Sequence, residues 1–121
     1  MADDLTKRII GAAIEVHRIL GPGLLESIYE EALVREFELQ GLPFERQVAV
    51  DITYKGKVIS GQRIDLVVSK EVVVEIKSVR QLPEAAMAQT LSYLKATGLR
   101  RALLINFGTA RLAQGVKRIS L

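Results

Sequence analysis

The chain has 121 residues and a net charge of +3, with 49% hydrophobic and 26% charged residues, which are ordinary values for a globular domain. Because it has no cysteine, disulfides, thiolate metal sites and cysteine nucleophiles are excluded. No apolar run approaches the roughly 18 residues of a membrane span, and no secretory signal opens the chain, so we expect one cytoplasmic domain over residues 1–121, outside any membrane.

Two amphipathic helices are predicted at the start of the chain. Apolar residues recur at three- and four-residue spacing over 5–20 and again over 25–40. A Gly-Pro-Gly run at 21–23 ends the first helix, and Gly41 stands where a C-terminal cap would end the second. The first third of the chain is therefore expected to be helical.

Alternating apolar and polar residues then predict strands. The first covers 47–54 and is followed by a turn and a short strand around Val58 and Ile59. Two more strands, 64–68 and 72–77, are joined by a turn at 69–71.

The last third of the chain returns to a helix before its final strands. Pro83 is well placed to begin a helix that reaches about Thr97. Strands follow over 101–107 and near 116–121. The order predicts an α/β or α+β fold, a sheet with helical cover.

The turn at 69–71 brings acidic side chains together. If Val68 and Val72 flank it as partners, Asp65 lies opposite Glu75, and Lys77 shares their face. Opposed residues have Cβ atoms about 4.5–5.5 Å apart, so both carboxylates can reach one cation. The other face is wholly apolar and is predicted to be core: Ile64, Leu66, Val68, Val72, Val74 and Ile76.

Paired carboxylates at the ends of apolar strands are costly unless they are neutralised or bind a metal. Oxygen ligands suit Mg²⁺ or Mn²⁺, which can activate water against a phosphodiester. Lys77 would orient that water or stabilise the developing charge. The residues alone leave an alternative open, in which Glu75 and Lys77 form a surface ion pair beside Asp65.

Polar residues on two helices extend the candidate site. Gln89 and Tyr93 are four residues apart and share a helix face, where they would contact substrate or simply form the helix surface. Glu26 is a candidate third metal ligand, through water, or a first-turn acid favoured by the helix dipole. Tyr29, three residues later, is taken with Gln89 and Tyr93 as a candidate substrate contact.

Charge is distributed unevenly along the chain. Residues 85–121 contain six basic residues and no acidic one. A one-sided basic end is expected of a protein that binds a polyanion, although solvated surface charge would look the same.

The stretch Gly23-Leu24-Leu25-Glu26-Ser27-Ile28-Tyr29 resembles the signature of the GxxExxY proteins, a group placed in the PD-(D/E)XK nuclease superfamily. The resemblance runs from the helix at 13–17 through 93–98 to Ile105-Asn106-Phe107-Gly108. It implies a restriction-endonuclease-like αβββαβ core, with a mixed, mainly four-stranded sheet flanked by helices. The chain order predicted above agrees with it.

The resemblance also implies roles for individual residues. Asp65 and Glu75 would be metal ligands, Lys77 the catalytic lysine and Glu26 the helix acid that some branches add to the metal site. Gln89 and Tyr93 look like the Gln-x-x-x-Tyr motif of RecB-type nucleases. Ile64 stands where the family name has proline, a position that varies widely. His17 resembles a helix histidine that some relatives place near the metal, but a half-buried core histidine is preferred.

The leading hypothesis is a Mg²⁺- or Mn²⁺-dependent nuclease acting on DNA, with RNA as the alternative. A catalytically idle nucleic-acid or protein-binding module would keep the same fold, and a phosphohydrolase of small nucleotides would fit the compact chain. An exposed strand edge near Val58 suggests a homodimer.

Overall fold

The computed structural model describes residues 3–121, so Met1 and Ala2 of the predicted domain lie outside the described residues. Three α-helices, five strands and one 3₁₀ helix occur within them. In chain order they are α1 Asp4–Leu20, α2 Glu26–Gln40, β1 Phe44–Tyr54, β2 Lys57–Val68, β3 Val72–Lys77, α3 Glu84–Thr97, β4 Arg101–Asn106, the 3₁₀ helix Leu112–Gly115 and β5 Val116–Ser120. Among these described helices, none is long and apolar enough to cross a membrane.

Local sequence sets the ends of the helices. The Asp3 side chain accepts the Thr6 N–H at 3.1 Å and so caps the first turn of α1. Gly41 and Gly98 follow α2 and α3 in the left-handed conformation, which glycine adopts without strain. Pro83 is the N-cap of α3, one position outside the helix that it is predicted to begin. All three helices lie within one residue of their predicted bounds.

The strands form one mixed sheet in the order β1-β2-β3-β4-β5. β3 and β4 are parallel and are connected through α3, whereas the other neighbours are antiparallel. The central strand β3 is buried on both faces up to Ile76, which is why it begins with three consecutive valines instead of an alternating pattern. The predicted α+β fold is confirmed, and β5 adds a fifth strand to the αβββαβ core.

Helices cover both faces of the sheet. α1 and α2 cover one face, over a buried cluster that includes Tyr29, Leu33, Phe37, Leu66, Val74 and Phe107. α3 covers the other, over a second cluster that includes Val67, Val73, Ala86, Tyr93 and Leu94. A large apolar side chain contributes roughly 1.5–3 kcal/mol when it is fully buried, so these two clusters hold the layers together.

The second strand differs from its prediction. β2 is a single strand of 12 residues, whereas the sequence predicts two short strands, around Val58 and over 64–68. The alternation breaks because Gly61, with a φ of 126°, lies at an irregularity of the β1–β2 ladder. Val58 pairs with Thr53 of β1 on one side. On its other side β2 pairs with β3 only from Leu66 to Val68, so among the described residues the outer half of β2 keeps the exposed edge predicted near Val58, and the homodimer through it stays a prediction.

Ile64 is buried, but it lies in the cluster beneath α3 and not with Leu66 on the opposite face. Strict alternation along β2 would place both on one face. The alternation is interrupted where the regular β1–β2 pairing skips Gln47 and Asp65, and Gln47 there has a positive φ of 50°. The predicted core face is therefore wrong for Ile64.

Candidate active site

Asp65 and Glu75 meet where the β2–β3 hairpin changes from backbone to side-chain hydrogen bonding. As predicted, Val68 pairs with Val72. The regular register ends at the pair Leu66 and Val74, each of which is adjacent in sequence to one of the two acids. The Glu75 carboxylate then accepts the Asp65 N–H at 2.7 Å, and the Asp65 carboxylate accepts the Ile76 N–H at 2.8 Å. Each acid is thus held by the backbone of the opposite strand.

Burial and mutual repulsion make this pair electrostatically unfavourable. Glu75 is only 5% exposed, and burial, followed by the charge of Asp65, raises its pKa to about 8. Burial also raises the pKa of Asp65, although the hydrogen bond from Ile76 opposes the shift. The positive charge of Lys77 lowers both pKa values, but it does not cancel the burial effect.

A divalent cation fits this donor set. One oxygen of each carboxylate accepts a backbone N–H, and the second oxygen has no backbone donor within residues 3–121. No three acidic or histidine side chains of the described chain converge to form a complete ion-binding group. Two carboxylates nevertheless suit Mg²⁺ or Mn²⁺, since Mg²⁺ usually keeps several waters and is held by one or two carboxylates plus substrate phosphates.

Lys77 and Gln89 line one cleft beside the acids. This cleft, of about 400 Å³, lies between the end of β3 and the first half of α3. Tyr93 is buried one turn further along α3, and burial followed by the negative charges of Glu75 and Asp65 raises its pKa. The structure therefore places Gln89 exposed in the cleft with Lys77, whereas Tyr93 is buried within range of the charges of the acid pair.

Glu26 lies at the start of α2, on the face of the sheet opposite to α3. Its carboxylate accepts the Ser78 N–H at 3.2 Å, and the Ser78 hydroxyl donates to the Leu24 carbonyl at 2.6 Å. Its negative charge contributes to the raised pKa values of Asp65 and Glu75. Glu26 thus lies near the pair, but in this arrangement it binds the segment that follows β3.

Tyr29 is fully buried, so it has no exposed surface with which to contact a substrate. Its ring stacks on Phe107 with centroids 4.4 Å apart. Its hydroxyl donates to the Gly21 carbonyl at 2.6 Å and accepts the Leu24 N–H at 3.0 Å. This geometry makes Tyr29 a positioning residue, which fixes the loop that immediately precedes Glu26 and α2.

His17 is half-buried on α1, and its Nε2 lies 2.9 Å from the Thr109 carbonyl oxygen. Its ring also stacks near Phe107, at a centroid distance of 6.5 Å. These contacts tie α1 to the segment after β4, as expected of a core histidine with one satisfied nitrogen.

Gln47 and Gln62 belong to the site but have no distinguishing sequence signal. The Gln47 amide donates to Glu30 at 2.9 Å and lies 3.5 Å from Asp65, which connects α2 to the acid pair. Gln62, on β2, lines the same cleft as Lys77. Neither glutamine stands at a regular sequence spacing from Asp65 or Glu75, so the sequence does not distinguish them from ordinary polar strand residues.

The segment after β3 is held by the end of β4. The Asn106 side chain accepts the Val79 and Gly108 N–H groups at 3.0 and 2.9 Å, and its amide donates to the Val79 carbonyl at 2.9 Å. Gly108 packs directly on Val79, so an added Cβ would lie 2.7 Å from the Val79 nitrogen. We call these contacts of Asn106 and Gly108 with Val79 the clamp. Ser78, which binds Glu26, immediately precedes Val79.

We expect Gly108→Ala to destabilise the protein by ~1–3 kcal/mol, because the new methyl group must displace the Val79 backbone. Chemical denaturation measures this loss. Gly11→Ala is the matched control: its Cβ would meet nothing within 4 Å on α1, so it should stabilise by roughly 0.5–1 kcal/mol. Equal stability of Gly108→Ala and the wild type would contradict the clamp.

Comparison with known proteins gives one family match. A family model described as the PD-(D/E)XK nuclease superfamily matches residues 3–119. No curated protein and no solved structure gives a significant match. The matched range includes all three helices, the strands β1 to β4, β5 except for its last residue, and both acids of the pair.

Proposed function

The chain belongs to the PD-(D/E)XK nuclease superfamily, and from this membership we propose that it is a divalent-metal-dependent nuclease that hydrolyses phosphodiester bonds in DNA, with RNA as the alternative substrate. Within the superfamily we assign it to the GxxExxY group, on the signature at residues 23–29. The observation that carries the proposal is the buried acid pair, Asp65 and Glu75, beside a cleft that contains Lys77.

In the proposed site, Asp65 and Glu75 hold Mg²⁺ or Mn²⁺. When bound, such an ion activates water and neutralises charge on the scissile phosphate. The chain contributes rigidity, because each carboxylate is fixed by a backbone N–H of the neighbouring strand. The other oxygen of each is proposed to bind the ion, and that of Asp65 is also approached by the Gln47 amide at 3.5 Å. Glu26 is proposed as a third acid that acts on the ion through water, which its separation from the pair allows.

Lys77 is proposed as the catalytic cation. It lies two residues after Glu75 on the same strand and is half-exposed at the edge of the cleft. An ammonium group there would stabilise the negative charge that develops on the phosphate oxygens as water attacks. Gln89 would hold the substrate strand from α3, and Tyr93 would support Gln89 and the acids from below.

Only some of the basic residues near the end of the chain are available to bind a polyanion, because others contact the protein itself. Arg101 forms ion pairs with Asp3 and Glu71, and Arg118 donates to the Thr6 hydroxyl at 3.2 Å. Arg80 and Lys117 line a smaller pocket and are both exposed. We propose that these two cations, with Lys77, attract the phosphate backbone.

A homodimer is proposed through the outer half of the β1–β2 hairpin. This half extends beyond the buried clusters and exposes four large apolar side chains, Ile52, Tyr54, Val58 and Ile59. An exposed apolar group of this kind commonly marks a protein contact.

Metal-dependent cleavage tests the proposal. Labelled single- and double-stranded DNA and RNA are incubated with the chain and Mg²⁺ or Mn²⁺, with EDTA as the control. We expect cleavage that EDTA abolishes and added metal restores. Binding without cleavage, unaffected by Asp65→Ala, would favour a binding module. Turnover of mononucleotides or cyclic dinucleotides alone would favour a small-nucleotide hydrolase.

A further inference from the structure

Gln62 carries a buried polar atom that the fold does not satisfy. Its Oε1 is inaccessible to solvent and has no hydrogen-bond partner, the one such side-chain atom recorded in residues 3–121. The residue pairs with Val50 in the β1–β2 ladder and lies three positions before Asp65. Its side chain lines the cleft that also contains Lys77 and Gln89.

An unsatisfied buried carbonyl is costly, and most such groups in folded proteins have a partner. Donors are close at hand, since Lys77, Gln89 and Ser92 line the same cleft, yet none of them donates to Gln62. No internal contact therefore fixes which end of the carboxamide faces the cleft. The last torsion of a glutamine side chain is soft and roughly two-fold, so either end can be turned toward a ligand.

The chemistry of the cleft favours a nucleobase over a phosphate for Gln62. A carboxamide offers one donor and one acceptor, and so does the edge of a base, whereas a phosphate offers acceptors only. The phosphate is already matched by the Lys77 ammonium group. Gln62 and Gln89, both neutral, line the same cleft as that lysine.

The cleft has room for a single nucleotide. Its volume of about 400 Å³ lies at the lower end of the range for small-ligand sites, and it is bounded by β2, the end of β3 and α3. A base in a duplex has its pairing edge occupied by the complementary base, so it cannot present that edge to Gln62.

We propose that Gln62 reads the base of an unpaired nucleotide next to the scissile phosphate, and that the substrate is single-stranded nucleic acid. This inference rests on the proposed nuclease function. Because the carboxamide can present either end, it would accept any base, and the contact would select for strandedness without selecting for sequence.

Binding without cleavage tests the inference separately from catalysis. Fluorescence anisotropy with Ca²⁺ in place of Mg²⁺ compares a 20-nucleotide single-stranded thymidine oligomer, an abasic oligomer of equal length and a blunt duplex. We expect the wild type to bind the thymidine oligomer about tenfold more tightly than the duplex. Gln62→Met should weaken thymidine-oligomer binding about fivefold and leave abasic binding within about twofold.

Gln40→Met is the matched control, since this exposed glutamine ends α2, remote from Glu26 at the start of the helix. Gln62→Asn, which keeps the carboxamide but withdraws it from the cleft, should lose base-dependent binding as well. If Gln62 had only a structural role, Gln62→Met would lower the unfolding temperature. We expect the variant to raise it by ~2 °C instead, because an unsatisfied group is removed.

Three outcomes would overturn the inference. They are unchanged binding by both Gln62 variants, an equal loss on the abasic oligomer, or a wild type that prefers the duplex. A chain that cleaves nucleic acid and gives one of these results keeps its proposed function and loses this inference. A chain that never cleaves but shows base-dependent binding through Gln62 loses the nuclease proposal instead.

Discussion

Replacing Lys77 with methionine is expected to reduce kcat/KM for DNA cleavage by about 10²–10³-fold, the loss typical for removal of one donor that stabilises transition-state charge. Methionine keeps the length of the side chain and removes the ammonium group. Lys77 is half-exposed at the end of β3, so the fold does not depend on it. Steady-state cleavage of labelled DNA with Mn²⁺ measures the effect.

Two further measurements make the Lys77 result specific. Calorimetric Mn²⁺ binding should remain within about threefold of the wild type, because Asp65 and Glu75 are unchanged. Lys7→Met, which removes the same charge from an exposed position near the start of α1, should cleave like the wild type. Wild-type activity in Lys77→Met would contradict the catalytic assignment, and loss of Mn²⁺ binding would show that the lysine supports the ion site instead.

Replacing Glu75 with glutamine is expected to abolish cleavage and to stabilise the metal-free protein. The buried carboxylate is held at a cost, since burial and the charge of Asp65 raise its pKa from 4.5 to about 8. That shift corresponds to at most ~5 kcal/mol, of which we expect ~2 kcal/mol because Asp65 can share a proton. Glutamine keeps an oxygen that can accept the Asp65 N–H.

The pH dependence follows from the direction of the shift. Between pH 4.5 and about 8 the folded wild type binds more protons at Glu75 than the unfolded chain does. The contribution of Glu75 to the free energy of unfolding in EDTA should therefore be most favourable at the acidic end of this window. It should fall as the pH rises from 4.5 to about 8. Glu75→Gln lacks this contribution, so the two proteins should differ most near pH 8 and converge near pH 4.5.

Thermal unfolding in EDTA at pH 8 measures this prediction, with an expected gain of roughly 8 °C for Glu75→Gln. Added Mn²⁺ should stabilise the wild type and not the variant, because the ion would offset the repulsion that glutamine removes. Glu45→Gln, at an exposed position on β1, is the control and should change neither result. A less stable Glu75→Gln in EDTA would show that the acid pair is not strained.

The sequence by itself determined the helix bounds, the hairpin register and the order of elements, except that β2 was predicted as two strands. Turn residues and the periods of apolar side chains are local properties, and the sheet keeps them wherever pairing is regular. The register that joins Val68 to Val72 is such a property, and it placed Asp65 near Glu75 before any tertiary contact was known. Gln89 and Tyr93 reach the site for the same reason, since helical spacing fixes their common face.

Only the tertiary structure decided which side chains are available for chemistry. Tyr29 is buried against Phe107, and Glu26 binds Ser78, through contacts between residues 52 or more positions apart. Ile64 is buried on the face opposite to Leu66 because the regular pairing of β1 and β2 is interrupted between them. The unsatisfied oxygen of Gln62 exists because of how β2, β3 and α3 enclose a cleft. Burial and hydrogen-bond satisfaction are set by distant parts of the chain, and no local period encodes them.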